Sequence, residues 1–327
     1  MIEHGGNLLA AAERYGIAPE QWLDLSTGIS PHGYPAGTSD AESWRRLPLE
    51  TPEFQKAAAS YYGSDRFLAV AGSQAAIQLL PRLMPARSVA LVHPTYGEHE
   101  KRWRASGAAV ERLTEDAVDD VGDVGTRDVI VLCNPNNPTG RLHRPEALLE
   151  LRERQAARGA WLVVDEAFID TEPRLSLAPH AGAPGLVVLR SAGKFFGLGG
   201  ARLGFLFAPP ELLEQAREEL GPWSVSGPAL AVAAKALADV AFHDRSRNLL
   251  KAASARLRAI LEKKGHEIAG ATDFFAWVKH PRAREFQDSL ARVGILIRAF
   301  DDPPSLRFGL AGTDEAWIRL ESALEKI

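Results

Sequence analysis

Apolar residues recur along this chain in two rhythms. Short, nearly continuous runs occur at Phe67–Val70, Ser88–Val92, Val129–Cys133, Trp161–Val164 and Leu186–Leu189, the length expected of strands buried on both faces. Between them the spacing turns helical: the stretch 146–158 carries Leu148, Leu149 and Leu151 on one stripe. Such alternation predicts βα units, which assemble a parallel sheet covered by helices on both faces. The run 203–208 reads as a further strand. Beyond Gly221 the pattern changes: 229–242 reads as a helix of small residues and 244–264 as a long amphipathic helix, followed by short strands at 274–278, 295–297 and 306–308 and a closing helix from Asp314. The predicted architecture is α/β. Residues 51–222 form a large three-layer α/β/α domain with a mainly parallel sheet, residues 223–327 a smaller α+β domain, and residues 1–50 an arm with part of that smaller domain.

A length of 327 residues suffices for two domains with their own cores. The formal net charge of −4 gives no general attraction to nucleic acid or anionic lipid. A phosphate-bearing ligand therefore has to be held locally. No apolar stretch reaches the roughly 18 residues of a membrane span; the alanine-rich segment is broken by Lys235 and Asp239. The start lacks the basic and apolar regions of a secretory leader, and Cys133 is the only cysteine. A cytoplasmic location is expected. Residues 244–264 carry seven Lys or Arg against two acids, read as a solvated outer face in preference to a docking face for an acidic partner.

In an open α/β sheet, ligands collect beyond the carboxyl ends of the strands, and the unusual residues fall there. Gly72-Ser73-Gln74 open a helix, so their backbone N–H groups offer an anion site. Ser191 adds a hydroxyl and Arg202 a guanidinium able to clamp phosphate. Tyr96 is placed to stack on a ring, Asp165 to pair with a ring N–H⁺, Asn137 to face a ring oxygen, and Lys194 to condense with an aldehyde. Pyridoxal 5′-phosphate has all of these features.

The motifs Asn137-Pro138-Thr139-Gly140, Asp165-Glu166-Ala167-Phe168 and Ser191-Ala192-Gly193-Lys194, the last continuing to Arg202, resemble those of the fold-type I, aminotransferase-like pyridoxal-phosphate enzymes over nearly the whole chain. The resemblance implies Lys194 as the covalent lysine, Ser191 and Arg202 as phosphate ligands, Asp165 as partner of the pyridine nitrogen and Asn137 as partner of the phenolic oxygen. It also implies a homodimer. Two positions depart from the family: Phe168 stands where a tyrosine is common, and Leu47, in Arg46-Leu47-Pro48, where relatives carry a tyrosine that reaches the phosphate across the dimer.

Within the family, His4-Gly5-Gly6-Asn7, Leu23 to Pro31, Ala71 to Ile77 and Asp165 to Asp170 look like the threonine-phosphate decarboxylase branch of cobalamin biosynthesis, kin to histidinol-phosphate aminotransferases. This implies a small phosphorylated amino-acid substrate, with Arg307 on its carboxylate and Arg298 and His4 on its phosphate. Gly28 stands where some members of the branch carry an asparagine. His4 and Asn7 also read as ties for an N-terminal arm, and His32 as a turn residue. An aminotransferase and a non-catalytic binding module are the competing readings; the pair Lys194 and Asp165 argues against the module. Ser191-x-x-Lys194 also suits an acyl enzyme, but no Ser-Asp-Asn or Lys-Thr-Gly follows. The strand ending Asp165-Glu166 suits an NTPase, but no phosphate loop of that class exists.

Overall fold

The structure, a computed structural model, describes residues 4–38, 41–119 and 126–327. Two compact units share the chain: the larger comprises Gly33–Asn137 and Arg141–Arg245, the smaller the segment up to His32, Pro138–Gly140 and Ser246–Ile327.

The first strand, β1 (Leu23–Asp24), belongs to the smaller unit. The larger contains β2 (Phe67–Val70), β3 (Ser88–Val92), β4 (Ala109–Leu113), β5 (Val129–Cys133), β6 (Trp161–Asp165), β7 (Leu186–Ser191) and β8 (Gly204–Phe207). Among the described residues these seven strands form one sheet in the order β2-β8-β7-β6-β5-β3-β4. Strand β8 runs antiparallel to both its neighbours, and the other pairs are parallel. Two reversals at β8 make β2 point the same way as β7. The carboxyl ends of β2, β3, β5, β6 and β7 therefore share one edge, where the candidate residues lie.

The core beneath that edge is built from Val70, Val89, Leu91, Val131, Val163, Val187, Leu189 and Leu206, against Ile77, Leu79 and Leu80 of the helix Ser73–Leu83. Strand β4 was not predicted. It lies at the sheet's margin with Glu111 and Arg112 exposed, so it lacks the continuous apolar run of its buried neighbours.

The stretch 229–242 is not one helix but the join of two, Gly227–Ala238 and Val240–Lys263. Asp239 Oδ1 accepts from the Phe242 N–H at 2.8 Å and caps the second. The larger unit also reaches beyond the expected boundary at 222. Phe242 stacks on Phe196 at 6.0 Å and meets the Tyr34 ring edge-on at 5.0 Å. On the amino-terminal side the division falls at His32, earlier than residue 50.

In the smaller unit, β9 (Ile268–Thr272), β10 (Phe275–Lys279), β11 (Ile295–Leu296), β12 (Arg298–Asp301) and β13 (Pro304–Gly309) complete the strands. One antiparallel sheet has the order β12-β13-β10-β9, and β1 pairs with β11 in parallel. The strand predicted at 295–297 is β11, and β12, which follows it and serves a different sheet, was not predicted. The predicted basic face is partly occupied: Arg256 pairs with Asp314 at 2.7 Å, Lys263 with Glu321 at 3.0 Å and Lys264 with Glu325 at 2.7 Å. These acids belong to the closing helix Asp314–Leu324 and the residue after it. Among the described residues no helix is long and apolar enough to cross a membrane.

Candidate active site

The site in the larger unit begins where β2 turns into the helix Ser73–Leu83. Gly72 has φ +77°, and no described side chain caps the helix. Its first N–H groups are left to a ligand. A Cβ at Gly72 would collide with Arg202 Nη2, so the absence of a side chain is what lets the guanidinium lie over this turn. Arg202 is itself left-handed, at φ 53°, and donates to the Gly199 carbonyl at 3.1 Å. At Gly204, β8 passes so close to the Ser73 nitrogen that no Cβ fits. Ser191 caps the short helix Ala192–Phe195 by accepting from the Gly193 N–H at 3.3 Å. A helix amino-terminus, a hydroxyl and a cation thus come from the turn after β2, the end of β7 and the approach to β8.

Gln74 enters this cradle through its backbone, because its side chain is committed elsewhere. Tyr96 Oη donates to Gln74 Oε1 at 3.0 Å, and Gln74 Nε2 donates to the buried Glu98 at 3.0 Å. The Tyr96 ring is thereby held at the end of β3. Its hydroxyl is pushed up to about 12 by burial and then by the charges of Asp165 and Glu98. Phenolate is not formed at neutral pH.

Asp165 ends β6 and is 4% exposed. One carboxylate oxygen lies 3.0 Å from His99 Nε2 and the other accepts from the Ala167 N–H at 3.1 Å. His99 is 1% exposed. Burial works against its charged form, but hydrogen bonds to Asp165 and Cys133 raise its pKa. The acid is therefore fixed from behind by a cationic ring.

The loop after β5 contains three asparagines with divided duties. Asn134 exchanges hydrogen bonds with the His143 backbone at 2.8 and 3.2 Å. Asn136 donates to the Pro94 carbonyl at 2.7 Å and to Glu115 at 2.8 Å. These two lock the loop that presents Asn137, which is half-buried. Lys194 sits on the short helix after β7, its Nζ 5.5 Å from the centroid of the buried Phe168 ring. Phe168 thus presents an apolar wall to the lysine.

The remaining candidates lie in the smaller unit. Arg298 on β12 and Arg307 on β13 are direct cross-strand partners, which places both side chains on one face of the sheet. Arg307 is buried and donates to the Ser26 carbonyl at 2.6 Å. Arg298 lines a cavity of about 490 Å³ with His4, Asn7, Arg14, Tyr15 and Ser26. Gly28 has φ +64°, a conformation that glycine, and asparagine among other residues, adopts most readily.

Comparison with known proteins shows the family. The pattern of the aminotransferase class I and II family matches residues 39–327. The chain belongs to that family. A threonine-phosphate decarboxylase of Pseudomonas aeruginosa is 47% identical over 99% of this chain and 97% of its own length. A threonine-phosphate decarboxylase of a Sinorhizobium species is 44% identical over 100% of this chain and 98% of its own. The crystal structure of a histidinol-phosphate aminotransferase from Sinorhizobium meliloti, in complex with pyridoxal 5′-phosphate, shares the fold with a TM-score of 0.80 at 21% identity, covering 98% of this chain and 94% of that one.

For a member of this family, the sequence reading missed His99, Glu98 and the acids and arginine behind the strand ends. His99 had a faint signal, since it falls three residues after Tyr96 and so one helical turn along the same side. Glu98 had none. Only the packing of the helix Gly97–Ala105 shows it buried beneath Gln74.

Proposed function

We propose that this chain is a pyridoxal-phosphate-dependent decarboxylase that converts L-threonine O-3-phosphate to CO2 and (R)-1-amino-2-propanol O-2-phosphate, a step in cobalamin biosynthesis. The observation that carries this reading is the likeness, over essentially the full length, to two proteins named threonine-phosphate decarboxylase.

The residues fit the cofactor. The room left at Gly72 and Gly204, the uncapped helix and Arg202 suit its phosphate. Asp165, buried and braced, suits its ring nitrogen. When bound, the cofactor supplies an electron sink for the pair left at the substrate Cα. Asp165 keeps the proton on the ring nitrogen. Lys194 would hold the cofactor through Nζ and, once that amine is free, would move a proton there. Asn137 would face the phenolic oxygen and Tyr96 the ring. Arg307 holds the substrate carboxylate, and Arg298 and His4 its phosphate. Gripping both ends would fix which bond at the substrate Cα is the one to break.

The test is incubation with threonine phosphate. One CO2 per substrate consumed, without keto acid, supports the reading; amino transfer from histidinol phosphate, with no CO2 from threonine phosphate, overturns it in favour of an aminotransferase. The working form proposed is a cytoplasmic homodimer. Supporting the dimer, Trp44 is 71% and Trp223 57% exposed, and the exposed Leu47 and Leu49 line a groove with Leu230 and Ala231. Apolar exposure of this kind marks an interaction surface.

A further inference from the structure

Glu166 and Arg190 each stand one residue from a proposed cofactor residue, and the reaction described above uses neither. Side chains alternate along a strand, so Glu166 faces away from Asp165 and Arg190 away from Ser191. The two outward groups meet on the far side of the sheet. Arg190, 2% exposed, donates to Asp170 Oδ1 at 2.6 Å and to Ser176 Oγ at 2.9 Å, and lies 3.5 Å from Glu166 Oε2. Its guanidinium carbon is 4.7 Å from the centroid of the Tyr62 ring. Glu166 is fully buried and accepts from Ser176 Oγ at 2.5 Å and the Leu177 N–H at 2.7 Å. Asp170 also accepts from Tyr61 Oη at 2.8 Å. The Tyr61 ring packs on Phe196 at 5.4 Å and on His243 at 4.7 Å.

This is a costly way to obtain stability, since buried ion clusters are commonly matched or exceeded by apolar side chains of similar volume. What the cluster does that apolar packing does not is fix direction and distance through hydrogen bonds. It is anchored on three segments: β6 at its end, β7 at its end, and Phe196 two residues beyond Lys194. Backbone pairing reinforces it, the Glu166 N–H donating to the Leu189 carbonyl at 2.8 Å. We propose that Glu166, Arg190, Asp170 and Tyr61 are positioning residues that hold Asp165, Ser191 and Lys194 at the mutual spacing one cofactor molecule spans. The proposal rests on the cofactor reading given above.

Arg190→Met combined with Asp170→Asn removes the closest opposite charges together and keeps a hydrogen-bond acceptor for Tyr61. Thermal unfolding of the apoprotein and titration of the apoprotein with pyridoxal phosphate, followed by visible absorbance, are measured side by side. The expected result is an unfolding midpoint near that of the wild type, a cofactor Kd raised by about tenfold or more, and turnover lowered by roughly 10- to 100-fold, with KM for threonine phosphate little changed. An unchanged Kd and turnover overturn the proposal. If the double variant does not fold, Tyr61→Phe decides: a raised Kd in a protein of unchanged stability supports the cluster's role, and an unchanged Kd overturns it. Wild-type protein that takes up no pyridoxal phosphate overturns the cofactor reading itself, whereas wild type and variant binding equally well removes only the positioning role.

Discussion

At Glu166 burial pushes the carboxyl up to about 7, against the opposing pull of Arg190 and of hydrogen bonds from Leu177 and Ser176. Arg190 stays firmly cationic despite its own burial, because Asp170 is its nearer partner at 2.6 Å; Glu166, at 3.5 Å, does not recover the cost of leaving water. The unfolded carboxyl titrates at about 4.5. Between that pH and about 7 the folded state holds a proton the unfolded chain has lost, so this group's stabilising contribution is complete below about 4.5 and is lost as pH rises through 7. The loss amounts to roughly 3 kcal/mol. Denaturant unfolding of wild type and Glu166→Gln at pH 5 and pH 8 should show the wild type losing about that much relative to the variant. At the neighbouring position, His99→Ala leaves Asp165 buried without its cationic brace, and urea unfolding should show a loss of about 3 kcal/mol or more. The chemistry of Asp165 was legible because an acid ending an apolar strand is conspicuous. Its brace was not, because a histidine inside a charged helical segment looks like any surface residue.

Among the elements, the turn from β2 into Ser73–Leu83 shows how fold and site separate energetically. Gly72→Ala places a methyl against the tip of Arg202, a flexible side chain that moves aside cheaply. The backbone cost of an alanine at φ 77° and ψ 155°, a region essentially confined to glycine, is about 1–3 kcal/mol, which a folded domain of this size tolerates. For the cradle the change is severe, since the displaced guanidinium forfeits a charged hydrogen bond of about 1.5–3 kcal/mol. Pyridoxal phosphate should therefore bind about 10- to 100-fold more weakly, measured by absorbance titration, while the protein remains folded. The elements most legible in sequence are β2, β3 and β5, whose ends fall where the apolar runs end. Strand β4 and the break at Asp239 were missed for opposite reasons. An edge strand needs no continuous apolar run, and a single capping aspartate in an alanine-rich stretch looks like any polar residue on the outer face of one helix.

For the whole molecule, the proposed cofactor residues Asp165, Ser191, Lys194 and Arg202 belong to the larger unit, and Arg307 and Arg298 to the smaller. This division makes the roles separable. Arg307→Ala should raise KM for threonine phosphate by about 10- to 100-fold, the worth of a charged hydrogen bond, and leave the cofactor's visible absorbance intact; loss of that absorbance would place Arg307 with the cofactor instead. On the dimer proposed above, charging the apolar surface by Trp44→Glu with Leu47→Glu should leave a monomer in light scattering, with the larger unit still folded; wild type that is already monomeric would overturn the dimer.

The sequence by itself determined the strands buried on both faces and the residues that follow them, because a parallel sheet needs unbroken apolar runs and its chemistry collects where those runs stop. It also determined, through the spacing of Asn137, Asp165, Ser191, Lys194 and Arg202, which family the chain resembles. Tertiary structure alone decided what stands behind those residues: His99 against Asp165, Glu98 beneath Gln74, and Arg190 among Glu166, Asp170 and Ser176. Such partners come from segments far apart in sequence, and burial, which no local pattern records, is what turns an ordinary charged side chain into a fixed one.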